Sequence, residues 1–373
     1  MTKTIRDASF FYTWQISCTF DPIKFAKCMH CVLQKPQIAC KDEKFKSFLL
    51  EHCPVLSEKF KPTIWCFESR AQTILRSFIP TSIRITYDAE IITLADGGQI
   101  ILDWYENENP MFPDKETRPT ILLLPGLTGN NKVDQTPCRT IQKFTPRTYC
   151  AANTDDLAHV IDIIKGKLPN APVLGVGVSL GGMQLFNYLA KSGDQCRLEA
   201  GMCISVAWNV FESVLELEKP GINLHVINRQ LAQTLVQLVQ KNMEVFENHL
   251  DNMDHILKAS TIREFDERFT AKIFGYETWQ DYYKEACLHD KIHALKVPVL
   301  VLSAADDPFS PSHAIPVREA EENDNIAIVV TSHGGHIGFM EGFIPKNSTF
   351  MDKLYSQYIK AVITHGQTHL KQD

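Results

Sequence analysis

Five short apolar runs alternate with segments of helical periodicity along this chain, and that alternation constrains the fold more than any other feature. Each run has the length of a strand and lacks regularly spaced polar residues, as expected for strands that helices cover on both faces. The runs are TILLLPG at 120–126, APVLGVGVS at 171–179, AGMCISVAW at 200–208, VPVLVLSA at 297–304 and IAIVVTS at 326–332. The pattern predicts an α/β fold with a mostly parallel central sheet.

Two further patterns divide the chain. Apolar and polar residues alternate around ADGG at 95–98, which predicts a β-hairpin ahead of the first buried strand. A polar-rich helical block at about 209–292 interrupts the alternation, and we interpret it as a helical cap inserted over one end of the sheet. We therefore divide the chain into an N-terminal segment at 1–80, with two short amphipathic helices, and a main domain at 81–373.

Composition and charge exclude several classes of function. The chain has 373 residues and a net charge of −6, so it lacks the basic character typical of nucleic-acid binding, and we predict no nucleic-acid partner. Its 11 cysteines follow no disulfide framework and indicate reduced thiols in a cytosol-facing protein. CMHC at 28–31 has no second paired cluster at zinc spacing, so we predict neither a metal nor a cofactor.

The chain shows no sequence signal for crossing a membrane. No apolar run reaches the length of about 18 residues that indicates a spanning helix, and no secretory signal is visible. FFYTWQISCTF at 10–20 could lie on a membrane surface or be buried, and we interpret it as a buried segment. The expected location is therefore the cytoplasm or the surface of a membrane.

The sequence GVSLG at 177–181 lies where the second buried strand meets an amphipathic helix. It matches G-x-S-x-G, in which the serine occupies a tight strand-to-helix turn and the glycines remove side chains that would clash there. The following helix directs the positive end of its dipole at the serine, which favours developing negative charge. Ser179 is therefore the candidate nucleophile.

A serine nucleophile in this setting needs an acid and a histidine, in that chain order, each after a later strand. Asp306 and Asp307 follow the fourth run, and His336 follows the fifth. His336 would take the proton from Ser179 and return it to the leaving group, while an aspartate orients the imidazole. His333 also follows the fifth run, but it precedes the glycine pair, so we favour His336.

The remaining requirement is an oxyanion hole made of two backbone N–H groups. One belongs to the residue after the nucleophile, which is Leu180. The other should come from the loop after an earlier strand, and LLLPGLTGN at 122–130 supplies a loop in which Leu127 is our candidate donor. This chemistry needs no metal or cofactor.

Each of these residues also has a purely structural explanation. Ser179 could cap the helix, or its glycines could form a phosphate-binding loop, although their spacing is not G-x-G-x-x-G. The aspartates could be turn residues before Pro308, and His336 could be a turn histidine. Their chain order and their positions at strand ends together favour a hydrolase over these separate explanations.

Several longer motifs resemble those of the α/β-hydrolase-domain proteins 1 and 3, a group with esterase-like relatives in plants and bacteria. The motifs, which lie within residues 35–366, include PTILLLPGLTGN, TPRTYCAANTDDL, GVSLGGMQLFNYLAK, TIREFDERFT, FGYETWQDYYKEA, AADDPFSPSHAIP and SHGGHIGFMEGFIPKNSTFMD. The resemblance implies the α/β-hydrolase fold and a triad of Ser179, Asp306 and His336, because the group's acid corresponds to the first of the two aspartates.

The same resemblance implies an activity. Members of the group are serine lipases or phospholipases, so the implied substrates are acyl esters, phosphatidylcholine above all. Related members are anchored by an amino-terminal membrane helix, whereas this chain shows none. The implied contact with a membrane is therefore peripheral.

One segment departs from the group's pattern. Between GLTGNN and FTPRTYC this chain has only KVDQTPCRTIQK, where the related proteins carry a longer segment with a helix and a strand. We therefore predict that one sheet strand is missing between about 131 and 149, which leaves backbone groups unpaired unless the hairpin fills the space. The alternative function that follows is a catalytically impaired protein that binds lipid or another partner.

Overall fold

The computed structural model of the protein describes residues 33–79, 86–94, 96–106, 111–127, 147–345 and 348–369. Its strands are β1 (Gln37–Ala39), β2 (Asp88–Thr93), β3 (Gln99–Trp104), β4 (Thr120–Leu124), β5 (Val173–Val178), β6 (Ala200–Ile204), β7 (Val299–Ala304) and β8 (Ile326–Thr331). Its α-helices are α1 (Glu43–His52), α2 (Ser69–Arg76), α3 (Asp155–Lys167), α4 (Leu180–Ser192), α5 (Val210–Leu217), α6 (Arg229–Lys241), α7 (Met243–Phe246), α8 (Met253–Leu257), α9 (Ile262–Phe265), α10 (Ala271–Ile273), α11 (Trp279–Ala286), α12 (Val317–Ala320) and α13 (Phe350–His369).

The main sheet has the strand order β1-β8-β7-β6-β5-β4. The strands from β4 to β8 pair in parallel, and each lies within one of the five apolar runs. The predicted α/β fold with a mostly parallel sheet is therefore confirmed. Because these strands run in one direction, their carboxyl ends share one edge of the sheet, where α/β proteins place their binding sites.

Strand β1 was not predicted from the sequence. Its three residues, Gln37–Ala39, pair antiparallel with β8 and form one end of the sheet. Three residues are too few to establish an alternating pattern. Only the pairing in the folded protein identifies them as a strand.

The predicted hairpin is confirmed, but it does not join the main sheet in the part of the chain that the structure describes. Strands β2 and β3 pair antiparallel as a separate two-stranded sheet, and Gly97 in their turn has a φ of +82°. At its end of the main sheet, β4 is the outermost of the described strands, so the hairpin does not fill the space beside it. Most of the segment in which we predict a missing strand lies outside the described residues, and that detail stays a prediction.

Helices cover both faces of the main sheet. Successive strand residues point to opposite faces, and Leu122 and Leu124 of β4 share a core with residues of α3 and α4, whereas Leu123 shares a core with α1 and α13. Burial on both faces explains why the five runs are apolar throughout.

Residues 33–79 share the core of the main sheet. Helix α1, predicted within 44–53, packs against α13, and the Gln357 side-chain oxygen accepts the Val55 N–H at 3.1 Å beside it. Helix α2, predicted within 69–78, lies against the loop that follows β8. This part of the N-terminal segment therefore packs into the hydrophobic core of the main domain.

The block at 209–292 is helical, as predicted. Helices α5 to α11 lie in it, together with two π-helical turns, Asn223–Asn228 and Asp266–Thr270. Part of the block has a hydrophobic cluster of its own around Val239, Phe246 and Phe269. We refer to this block as the cap.

No helix in the described ranges is long and apolar enough to cross a membrane. Those ranges also hold no group of three or more His, Cys, Asp or Glu side chains that could bind a metal ion. Two segments considered above, FFYTWQISCTF at 10–20 and CMHC at 28–31, lie outside the described residues.

Candidate active site

Three side chains meet at the carboxyl edge of the main sheet. Ser179 follows β5, Asp307 lies shortly after β7, and His336 lies shortly after β8. The Ser179 Oγ lies 2.8 Å from His336 Nε2, and His336 Nδ1 lies 2.9 Å and 3.1 Å from the two carboxylate oxygens of Asp307. These distances join a hydroxyl, an imidazole and a carboxylate in one hydrogen-bonded series, which is the arrangement that activates a serine.

The serine occupies a strained turn between β5 and α4. Its φ of +53° and ψ of −119° lie in a region that residues other than glycine rarely adopt. The Ser179 N–H donates to the Ile204 carbonyl at 2.8 Å, and the Ser179 carbonyl accepts the Met183 N–H at 3.0 Å. The predicted strand-to-helix turn is therefore present, and its hydroxyl faces the imidazole.

Two glycines allow the backbone to pack this closely. A Cβ on Gly177 would lie 2.4 Å from the Gly181 carbonyl oxygen, and a Cβ on Gly181 would lie 2.4 Å from the carbonyl oxygens of Leu124 and Pro125. The colliding atoms are backbone atoms, which cannot move aside without displacing β4 or α4. The glycine spacing is thus a packing requirement of the turn.

We expect Gly181→Ala to lower the free energy of unfolding by about 3 kcal/mol, because the added methyl overpacks two backbone carbonyls. Gly166→Ala is the matched control, since a Cβ at this exposed position in α3 meets no atom within 4 Å. The control should stabilise the protein by about 0.5–1 kcal/mol through its higher helix propensity. Urea unfolding of both variants measures the difference, and equal stability of the two would contradict the packing argument.

The structure corrects the choice between the two aspartates. We expected Asp306, but its Oδ1 accepts the Gly335 N–H at 2.9 Å and does not contact the imidazole. Asp307 makes both contacts with His336 Nδ1, and its Oδ1 also accepts the Phe309 N–H at 2.7 Å. The chain turns directly after β7, where the Asp307 N–H donates to the Ala304 carbonyl at 3.2 Å, and the two side chains therefore face different groups.

Burial shapes the electrostatics around Asp307, His336 and the neighbouring Asp306. Asp307 and His336 are 3% and 7% exposed, and the Phe309 ring stacks on the imidazole with 3.9 Å between the ring centroids. Burial also raises the pKa of Asp306 to about 7, against the Gly335 hydrogen bond and with a contribution from the Asp307 charge. Asp306 is therefore a carboxyl that titrates near neutral pH outside the hydrogen-bonded series.

One candidate oxyanion donor, Leu180, lies at this turn, and the other, Leu127, lies on the loop after β4. Leu180 is the first residue of α4, where backbone N–H groups have no partner within the helix. The loop after β4 approaches the same turn, because a Cβ on Gly126 would lie 3.4 Å from the Ser179 Cβ. Leu127 is the next residue of that loop, and its role as the second donor stays a prediction.

Some groups that hold the site carry no sequence motif and were not predicted. The Thr73 Oγ1 accepts the His336 N–H at 2.9 Å, and the Ser205 Oγ accepts the Ile337 N–H at 3.2 Å. His333, the less favoured histidine, has its Nδ1 3.1 Å from the Ser332 Oγ instead. The glycine-rich sequence HGGHIGF at 333–339 was the available signal that this loop needs close support from its neighbours.

Comparisons of the sequence with known families and proteins agree with this fold. The chain matches the family described as "alpha/beta hydrolase fold" over residues 127–343. It is 45% identical over 356 residues to Phospholipase ABHD3 of Homo sapiens. The matched region covers 90% of this chain and 87% of that protein. It is 31% identical over 327 residues to Protein abhd-3.2 of Caenorhabditis elegans, which covers 82% of this chain and 85% of that protein. Among solved structures, the match to the Pyrococcus furiosus esterase PF2001 covers 76% of this chain and 96% of the esterase chain, with 12% sequence identity and a TM-score of 0.46.

Proposed function

The chain belongs to the α/β-hydrolase fold family and is an enzyme of that family, and we propose that it cleaves acyl ester bonds of lipids as a serine hydrolase. The observation that most supports this proposal is the hydrogen-bonded series of Ser179, His336 and Asp307. We assign Ser179 as the nucleophile and His336 as the general base and acid. Asp307 replaces the expected Asp306 as the residue that orients the imidazole.

In the acylation step, the Ser179 Oγ attacks the ester carbonyl carbon while its proton passes to His336 Nε2, which lies 2.8 Å away. The imidazolium keeps its proton on Nδ1 and donates it in a hydrogen bond to the Asp307 carboxylate, whose negative charge stabilises the imidazolium. When the tetrahedral intermediate collapses, the bond from the carbonyl carbon to the alcohol oxygen breaks, and Nε2 gives its proton to that oxygen. The alcohol leaves, and the acyl group stays on the serine.

In the deacylation step, a water molecule attacks the acyl-enzyme from the side that the alcohol has left. His336 accepts a proton from this water and then returns it to the Ser179 oxygen as the acyl bond breaks. The sum of both steps is one ester and one water converted to one acid and one alcohol. No metal or cofactor takes part in this proposed mechanism.

We propose that the negative oxygen formed in each step is bound by the N–H groups of Leu180 and Leu127. Leu180 begins α4, so its N–H lies at the positive end of the helix dipole. Leu127 lies on the loop that packs against the Ser179 turn. Donors in such fixed positions each stabilise the transition state by about 3 kcal/mol.

We propose phospholipids as the substrates, phosphatidylcholine in particular. The human relative is named a phospholipase and covers nearly the whole chain, and its overlap is wide enough to include the cap. The cap lies close to the site: Arg70 of α2 donates to the Asn223 side chain of the cap at 2.8 Å, while Thr73 of α2 contacts His336. We infer that the cap shapes the apolar pocket for the acyl chain.

One observation favours a second candidate function. Among the described strands, β4 is outermost at its end of the main sheet, and the hairpin forms a separate sheet. A sheet interrupted there could leave the site misaligned in solution, and the chain would then bind lipid without cleaving it. The contacts within the Ser179–His336–Asp307 series favour the enzyme.

Hydrolysis of phospholipid vesicles tests the proposal. We expect the full chain to release fatty acid and lysophospholipid from phosphatidylcholine vesicles faster than from phosphatidylethanolamine vesicles, with Ser179→Ala as the inactive control. Equal release from both lipids would contradict the proposed head-group preference but would still support the serine-hydrolase activity. Vesicle binding without release, by protein that circular dichroism shows to be folded, would favour the second function.

A further inference from the structure

The loop that carries His336 has a strained backbone. Ile337 and Phe339 have φ values of +65° and +42°, and Gly335 has a φ of +57°. A positive φ in a residue with a large side chain costs on the order of 1–3 kcal/mol and persists only where the surroundings hold it. The groups that hold this loop therefore determine where the imidazole lies.

Helix α2 holds the loop at two points. The Thr73 Oγ1 accepts the His336 N–H at 2.9 Å, and the Gln72 Oε1 accepts the Met340 N–H at 3.1 Å. The Thr73 hydroxyl donates its own proton to the Ser69 carbonyl at 2.8 Å, which leaves its oxygen to act as the acceptor for His336. Gln72 is fully buried, so its bond is shielded from water.

Two glycines bring the loop against this helix. A Cβ on Gly335 would lie 2.3 Å from the Ser69 carbonyl oxygen, and a Cβ on Gly338 would lie 2.8 Å from the Gln72 Cβ. These positions flank His336 on both sides in the sequence. The loop and α2 therefore touch along the whole stretch that carries the histidine.

The same helix also contacts the cap. The Arg70 Nε donates to the Asn223 Oδ1 at 2.8 Å, and the Asn223 side chain in turn donates to the Glu216 carbonyl at 2.9 Å. Helix α2 thus connects the cap to the histidine loop. It lies outside residues 127–343, the part of the chain that matches the family, so nothing in that match identifies its role.

We propose that Thr73, with the support of Gln72, is a positioning residue that sets the orientation of His336 for the reaction. This inference rests on the proposed serine-hydrolase function. Without the Thr73 acceptor, the His336 N–H loses its partner, and the imidazole is held less closely within reach of the Ser179 hydroxyl. A displacement of about 1 Å at a reacting group can lower a rate by about 100-fold.

Thr73→Val tests the proposal, because valine keeps the branched shape of threonine and cannot accept the His336 N–H. We expect kcat for a soluble short-chain ester to fall by about 10- to 100-fold, with KM changed less than about twofold. The rate at which a fluorophosphonate labels Ser179 should fall by the same factor. Thr73→Ser, which keeps the acceptor, should restore both rates to within about threefold of the wild type.

Thr364→Val is the matched control. Thr364 of α13 also donates to the carbonyl four residues earlier, that of Lys360, at 2.7 Å, and it is exposed to solvent. This variant loses the same kind of helix bond without touching the histidine loop, so its labelling rate should equal that of the wild type. Gln72→Met provides a second variant, in which loss of the Met340 bond should lower the labelling rate with Thr73 intact.

The labelling experiment separates the two levels of inference. Wild-type protein that is not labelled at all would overturn the proposed function. Wild-type protein that is labelled, with Thr73→Val labelled at the same rate, would overturn the positioning role alone. Equal losses in Thr73→Val and Thr364→Val, or no recovery in Thr73→Ser, would also overturn it, because the effect would then come from the helix and not from the acceptor.

Discussion

Replacing Ser179 with alanine is expected to lower kcat for ester hydrolysis by about 10⁶-fold and to abolish covalent labelling by a fluorophosphonate. The loss is large because the serine and the histidine act as a unit, so removal of either one leaves only the oxyanion donors and substrate binding. The missing Oγ also leaves His336 Nε2 without the partner that lies 2.8 Å away. Purified protein, labelled and separated by gel electrophoresis, gives the result directly.

Ser310→Ala is the control for this experiment. Ser310 lies on the same loop as Asp307, and its buried hydroxyl has no hydrogen-bond partner among the described residues. Its removal should leave labelling within about twofold of the wild type, since no bond is lost. Continued labelling of Ser179→Ala would show that another residue is the nucleophile, and the assignment of the site would fail.

Asp307→Asn is expected to lower kcat by about 10⁴-fold with little change in KM. The asparagine amide can donate to Nδ1, which stabilises the wrong tautomer of His336 and removes the charge that stabilises the imidazolium. Asp306→Asn is the matched variant, because its amide oxygen can still accept the Gly335 N–H and the side chain at this position does not contact the imidazole. Its kcat should stay within about threefold of the wild type. The reverse ranking of the two variants would return the role to Asp306.

The carboxyl of Asp306 also makes the stability of the protein depend on pH. Burial raises the pKa of Asp306 from 3.8 to about 7, so between these values the folded chain holds a proton that the unfolded chain has released. The free energy of unfolding therefore falls as pH rises through this range, because the buried carboxyl is forced to ionise. Asp306→Asn lacks this group, and its stability relative to the wild type should grow by on the order of 2–4 kcal/mol from pH 5 to pH 8. Urea unfolding at both pH values measures it, and a difference independent of pH would contradict the assigned pKa.

Much of the fold could be predicted because burial on both faces leaves a signal in the sequence. A strand inside a parallel sheet must be apolar on both sides, and the runs at 120–126 and 326–332 show this without any knowledge of their neighbours. The glycines around Ser179 give a second signal, since the packing of the turn forbids a Cβ at Gly177 and Gly181. Ser179 and His336 followed from these patterns and from chain order.

Other features have no local signal. Asp306 and Asp307 both follow β7 directly, and no property of the sequence shows which side chain points at His336. Strand β1 is defined by its pairing with β8 and is too short for a pattern of its own. The separation of the hairpin from β4 likewise depends on strand pairing between distant segments.

The sequence by itself therefore determined the five parallel strands, the hairpin, their order and the residue types of the site, because burial and tight turns restrict which residues can occupy each position. The tertiary structure alone decided which groups meet. Asp307 reaches His336 because of the backbone direction after β7, and Thr73 supports it because α2 packs against the histidine loop. Hydrogen bonds between segments distant in sequence depend on distances and directions in the folded chain, and no local pattern of residues encodes these.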